Sequence, residues 1–441
     1  MWGCEDLETL MYARGVRHFV AATAVIAVIA YLWIFTRLGY APIHSDGYSY
    51  YVYLPSWGIY HDVTMEALAR DWYGGKYPGF TGLLRWPTTG LWVDLHPIGT
   101  AILMAPFFAV GDLLSLWSNL PRDGFSLYYE HAAGAAGIAY LIAGLVVLRK
   151  ILRRHFSDGV VLATLVSITW GTNLFHYGVF DGTFSHVFAF FLVCSWILIV
   201  EQWWERPDWR LSLALGMVAA MLVLVRHTNA LYFAVLPLYG VTRWNDLRPR
   251  VVSMWERRRW LGAATLVGAI GILPQLVLYR ISTSSWLVNP YSALNIGFSF
   301  GSPRIVAVLF STQKGLLFWS PLLVFTVIGA IVAKGWARGM VWPAIVTFGI
   351  QTYLAASWWD WQFGASFGHR AFTDGFGLAA VLLAAFFQWV AERVTARRVV
   401  TGVATALVAL SVAQMVQYWT GRIPIANTTW QEYRDAFLRF R

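Results

Sequence analysis

Apolar runs long enough to cross a bilayer recur from one end of this chain to the other, and they limit its fold more than any other feature. The first, His18 to Leu38, is about 20 residues long, enough to cross a hydrocarbon core of roughly 30 Å. Further runs read as Glu130–Leu148, Val160–Tyr177, Phe184–Trp203, Leu211–Val225, Thr228–Val241, Trp260–Arg280, Gly315–Ala333, Met340–Ser357, Thr373–Val390 and Val399–Tyr418, about eleven spans in all. Only 13% of the 441 residues are charged and 58% are hydrophobic, where a soluble domain carries about 25% charged residues. That balance excludes an ordinary soluble enzyme or a disordered chain. Two cysteines, Cys4 in the N-terminal tail and Cys194 inside an apolar run, exclude a disulfide scaffold. The expected fold is an all-α polytopic membrane protein, a single integral-membrane domain over residues 1–441.

Basic residues give the orientation. With eleven crossings, 19 of the 33 Lys and Arg residues fall in short inner loops, among them Arg14, Arg17, Arg149–Arg154, Arg243–Arg259 and Arg393–Arg398. The net charge of +10 is therefore a mark of topology and not of nucleic-acid binding. The same rule refuses His96–Trp117 as a crossing, because counting it would turn the basic loops outward. Pro97, Pro106 and Asp112 also make it a poor span, and it reads as a helix at the outer interface. Residues 39–129 thus become one outer loop of roughly 90 residues, a length uncommon unless functional. Residues 420–441 form a short outer tail.

Eight of the ten histidines fall on the outer side in this topology: His44, His61, His96, His131, His176, His186, His227 and His369. Ionisable groups at a membrane edge are costly and mark function by default. In His44-Ser45-Asp46-Gly47, just after the first span, Asp46 can serve as a general base. Tyr50 and its neighbours offer flat faces to a sugar ring or form an interface belt. Asp181, in the turn after His176, suits either a helix N-cap or catalysis. Between two short legs, Arg226-His227-Thr228-Asn229 lies below the outer surface. Arg226 there needs an anionic partner, either a structural carboxylate or a ligand phosphate. Lys314 opens the eighth span. The segment Trp358-Trp359-Asp360-Trp361 leads to Gly368-His369-Arg370, where a guanidinium suits a phosphate at headgroup level. No P-loop, dinucleotide-binding glycine pattern, H-E-x-x-H or G-x-S-x-G is present. No cofactor is assigned, although Asp94-Leu95-His96 and His44-Ser45-Asp46 could supply ligands to a divalent metal.

At these residues the chain resembles the GT-C superfamily of polytopic glycosyltransferases, in particular bacterial relatives of the protein O-mannosyltransferases and of the lipid A aminoarabinose transferase. The resemblance rests on the order of Asp46, His96-Pro97, the Asp181 turn, Arg226-His227-Thr228-Asn229, Lys314-Gly315-Leu316 and Ser366-Phe367-Gly368-His369-Arg370. A strict Asp-Glu or Asp-x-Asp motif is absent, since Gly47 follows Asp46. The resemblance implies a GT-C-like fold with interfacial helices in the first outer loop. It also implies inverting transfer of a sugar from a polyprenyl-phosphate carrier to a protein, glycan or lipid acceptor, on the periplasmic face of a bacterial inner membrane. Asp46 and Asp181 would be catalytic, and Arg226, Lys314 and Arg370 would hold the donor phosphate. His44, Tyr50, His96, His227, Trp359, Asp360 and His369 would line the substrate. A lipid-linked sugar flippase ranks second, because no two matching halves are visible. A polysaccharide polymerase or ligase ranks third.

Overall fold

The computed structural model describes residues 4–77, 81–437 and 439. The side chains of Cys4, Arg14 and Arg17, and Arg441 at the chain end, lie outside the described residues. Among those residues, α-helix dominates and the only sheet is a two-stranded hairpin. Helix α1 (Cys4–Trp33) is continued by a π-helical turn to Leu38. Three short helices follow, α2 (Asp46–Tyr51), α3 (Tyr53–Gly58) and α4 (Glu66–Asp71), and then the hairpin of β1 (Leu83–Arg85) and β2 (Trp92–Asp94). Next come α5 (Gly99–Trp117), α6 (Leu127–Leu152), α7 (Asp158–Trp170), α8 (Leu174–Val179), α9 (Ser185–Glu205) and α10 (Trp209–Val225). The chain continues through α11 (Val235–Leu238), α12 (Leu247–Glu256), α13 (Arg258–Thr283), α14 (Ile305–Phe310), α15 (Leu316–Trp319) and α16 (Val324–Val332). It closes with α17 (Gly335–Arg338), α18 (Val341–Ser357), α19 (Phe376–Ala391), α20 (Val394–Trp419) and α21 (Trp430–Ala436).

Eight helical segments among the described residues are long and apolar enough to cross a membrane, against the eleven expected. Four expected spans fall outside these eight. Val160–Tyr177 stops at Trp170 because Asn173 is held elsewhere: it donates to Phe367 O at 3.1 Å and accepts from Thr373 at 3.0 Å. In Gly315–Ala333 the break falls at Ser320, whose helical conformation is disfavoured by the following Pro321. Leu211–Val225 is part of the 17-residue α10. Thr228–Val241 is a 3₁₀ helix, His227–Ala234, leading into α11. A 3₁₀ rise of about 2.0 Å per residue lets that short leg run further along its neighbours than an α-helix would. Its carbonyls at Tyr232 and Leu236 accept from Trp196 and Trp204 of α9.

The refused stretch is the eighth candidate. By length and composition α5 could cross, but its flanks meet one segment. Tyr53 donates to His96 O (2.7 Å) just before α5, and Tyr51 donates to Gly124 O (2.6 Å) just after it. The Ile43 N–H, beyond the end of α1, donates to Glu130 in the first turn of α6 at 2.8 Å. The chain thus enters α5 from the end of the bundle where α1 stops, and returns to that same end.

Candidate active site

The chemistry collects at this end of the bundle, on loops and helix starts. After α1 the chain makes a turn from His44 to Gly47, closed by the Gly47 N–H to His44 O at 2.9 Å. Ser45 takes its corner at φ 48°, ψ −131°, a left-handed conformation that favours glycine and costs a side chain of order 1–3 kcal/mol. Gly47 packs against Thr183: a Cβ at residue 47 would lie 2.2 Å from the threonine hydroxyl. The Asp46 turn and the Asp181 turn are therefore in contact.

Asp46 opens α2 with its side chain 26% exposed, and its Oδ2 meets Arg370 Nη2 at 2.7 Å. Burial pushes the carboxyl pKa up, but the guanidinium outweighs it and holds the group below its ordinary value, hence ionised. Arg370 begins a 3₁₀ turn, Arg370–Gly375, and lies over the rings of Phe184 (5.4 Å) and Phe363 (5.8 Å). Its Nε has no hydrogen-bond partner. The guanidinium thus keeps unused donor capacity beside a carboxylate that is open to solvent.

Asp181 lies in different surroundings. Its Oδ1 is 2.9 Å from His44 Nε2 and its Oδ2 is 2.8 Å from His176 Nε2, with the residue 3% exposed. His176 Nδ1 accepts from the Trp419 indole N–H (2.9 Å), so its proton sits on Nε2 and points at the carboxylate. His44 Nδ1 faces Ala41 O at 2.8 Å, so both of its nitrogens face acceptors and both carry protons. Burial opposes that charge, but Asp181 more than offsets it and raises the His44 pKa. Asp181, although buried, is in turn held below the usual carboxylate range, chiefly by His176 and His44. With each oxygen already facing a histidine and the residue closed off from solvent, the geometry favours a positioning role for Asp181. It fixes His44, and His44 fixes the turn that carries Asp46.

Lys314 and Arg226 have partners within the protein. Lys314 is 1% exposed and donates to two backbone carbonyls, Ser366 O and Ile425 O, the latter at 2.8 Å. Burial lowers its pKa to about 7. It ties two loops together, and its burial keeps it from the open side of the cluster. Arg226 has its partner inside the protein: Asp374 Oδ2 at 3.8 Å, with His186 Nδ1 bridging at 2.8 Å to Asp374 Oδ1. Asp374 escaped the sequence reading. It stands four residues after Arg370 at the start of an apolar run, and the same cost of buried charge could have found it.

Tyr50 and His96 join the cluster, with their rings 4.2 Å apart. Burial pushes Tyr50 up to about 12, and the charges of Arg226, Asp46 and Arg370 all act on it. His96 is lowered to about 4 by burial and sits in a relay between Tyr291 (3.2 Å), Ser49 (2.6 Å) and, through Ser49, Asp94 (2.6 Å). His369 is sealed against Phe363 and Phe372. Three residues lie apart. His227 is exposed and meets only the Tyr279 ring, Trp359 is 56% exposed, and Asp360 has no ion pair among the described residues. For a divalent metal, no three His, Cys, Asp or Glu groups among the described residues gather to hold an ion. Asp94 Oδ1 accepts from Ser49, His44 faces Asp181, and Asp46 pairs with Arg370.

No protein-family model matches the chain, and no curated relative matches it. Among solved structures it is similar, over 96% of its length, to the archaeal oligosaccharyltransferase AglB from Archaeoglobus fulgidus, solved in complex with an inhibitory peptide and a dolichol-phosphate. The identity is 9% and the TM-score 0.46, and this chain spans 60% of the length of that protein.

Proposed function

We propose that the protein is an inverting glycosyltransferase of GT-C type. It moves a sugar from a polyprenyl-phosphate carrier to an acceptor hydroxyl at the Asp46 end of the bundle, on the periplasmic face of a bacterial inner membrane. The observation that carries this reading is the Asp46–Arg370 pair: a carboxylate open to solvent beside a guanidinium whose Nε has no partner. A lipid-borne substrate suits an apolar bundle whose charged cluster lies at one end.

The donor phosphate competes with Asp46 for Arg370. When Arg370 turns to the phosphate, Asp46 loses its cation while still largely buried, and its proton affinity rises. The acceptor then attacks the anomeric carbon from the face opposite the phosphate. Its heteroatom–carbon bond forms, its proton passes to Asp46, and the carbon–oxygen bond to phosphate breaks with the electron pair leaving on the phosphate. Arg370 stabilises the charge that develops there, and Arg226 adds positive potential from behind its Asp374 partner. Tyr50 and His96 present ring faces to the sugar. His44 and Asp181 are positioning residues.

The test is transfer of radiolabelled sugar from a polyprenyl-phosphate donor in proteoliposomes, comparing the native chain with Asp46→Asn. Label should move to an acceptor only with the native chain. Full turnover by Asp46→Asn would remove the assigned base. Movement of the labelled lipid between leaflets without release of sugar would replace transfer with flipping.

A further inference from the structure

At the opposite end of the bundle, 18 residues along α9 from His186 and so about 27 Å away, the arginines are held differently. Arg153 pairs with Asp158 at 2.8 Å, and Arg154 with Glu205 at 2.8 Å. Arg250 in α12 and Arg257 between α12 and α13 have no acid within ion-pair reach among the described residues. Both guanidiniums lie instead over a single indole, that of Trp204, at 4.0 Å and 4.8 Å from its ring centre. Arg257 also donates to Trp204 O at 3.1 Å. Burial first, and then the charge of Arg257, lowers the Arg250 pKa. The nearby Asp246 acts on Arg250 from beyond ion-pair distance, its Oδ2 accepting from the backbone and hydroxyl of Thr242 and from the Arg243 N–H.

Two half-buried like charges on one ring, with no acid in ion-pair reach among the described residues, repel each other in a place where a bound anion would relieve them. Space is kept for the Arg250 head as well. Gly240 turns at φ +75°, and a Cβ there would lie 2.9 Å from an Arg250 nitrogen. Around this pair the surface is aromatic and apolar: Trp244 is 73% exposed, Trp255 69% and Val251 65%. Tryptophan and arginine together at the ends of apolar helices belong at the level of lipid headgroups. Basic pockets between such helices take anionic headgroups.

We propose that Arg250 and Arg257, seated on Trp204, bind the phosphate of an anionic phospholipid headgroup at the membrane face opposite the Asp46 site. Planar guanidiniums suit a phosphate in two-pronged contact, and the indole holds them in place before the lipid arrives. The site is independent of the glycosyl-transfer reading, since no residue is shared.

The test uses the full chain in nanodiscs of phosphatidylcholine alone or mixed with phosphatidylglycerol, read by thermal midpoint and by native mass spectrometry of retained lipid. Phosphatidylglycerol should raise the midpoint and be retained in preference to phosphatidylcholine. Arg250→Gln with Arg257→Gln should weaken that retention about 30-fold, the effect of two arginines at a membrane surface. Arg258→Gln, whose guanidinium lies over Trp255 at 5.2 Å instead, should leave it intact. Equal stabilisation of the phosphatidylcholine discs by inorganic phosphate would make this a free-anion site and overturn the proposal. Should the double variant fail to fold, the native chain decides alone: no preference for phosphatidylglycerol over phosphatidylcholine overturns it.

Discussion

Asp46 and Asp181 stand on turns that touch each other, and their surroundings differ in kind. Asp46 has one partner, Arg370, and a quarter of its side chain is open. Asp181 has two histidine partners, one charged and one neutral, and is closed off. On the proposed reading the same residue type at the same end of the bundle does two jobs, set by access. A carboxylate closed off between two histidines orients its neighbours. One that faces solvent beside a single exchangeable cation is placed to take a proton from a substrate. Lys314 and Arg370 differ in the same way among the cations, the first sealed against two backbone carbonyls and the second beside an open carboxylate.

The largest effect expected is on Asp46. Asp46→Asn should lower turnover by about 10²–10⁴-fold, the usual contribution of a general base, and also cost stability by leaving the Arg370 charge without its carboxylate. Asp181→Asn should act mainly on stability, costing roughly 3–5 kcal/mol by taking the partner from the His44 charge. Its per-molecule turnover should fall less than that of Asp46→Asn. Midpoint and turnover measured on both variants would break the comparison if Asp181→Asn were as inactive as Asp46→Asn at unchanged stability.

Arg370→Gln should raise the donor KM about 10–100-fold, the loss of one hydrogen bond to a charged group. Lys314→Met should leave that KM unchanged while lowering the thermal midpoint. A donor KM that rose equally in both would return Lys314 to the phosphate.

A smaller effect follows from His44. Its pKa is raised in the folded chain above the ordinary value of 6.5. The stability it contributes is present at low pH and is lost as pH rises through the folded-state value. The midpoint should therefore decline on the alkaline side, and His44→Gln should remove that decline. A decline that persists in the variant would assign it to another group. The smallest change is expected for Ser45→Gly, where relief of the left-handed corner and the added freedom of the unfolded chain nearly cancel, within about 1 kcal/mol. A large loss of stability there would mean that the serine side chain matters more than its backbone angle.

Much of the fold was legible because a bilayer demands long apolar runs, and seven expected spans coincide with helices long enough to cross. The breaks were harder to read. Pro321 announces its own, but Asn173 breaks its helix for partners nearly 200 residues away, which no local pattern displays. The site divides along the same line. Asp46 and Arg370 stood out as polar groups beside apolar runs, yet nothing in their spacing showed that they pair. Trp419 could not be seen to fix the tautomer of His176.

By itself the sequence determined an α-helical chain built for a membrane, the density of its apolar runs, and the ionisable residues too costly to be incidental. Tertiary structure alone decided which of those residues remain available. Whether a carboxylate or an ammonium is spent depends on how many partners reach it, and those partners come from helices far apart in the chain. Hydrophobicity is carried by each residue along the chain, whereas unsatisfied bonding capacity exists only once the neighbours are in place.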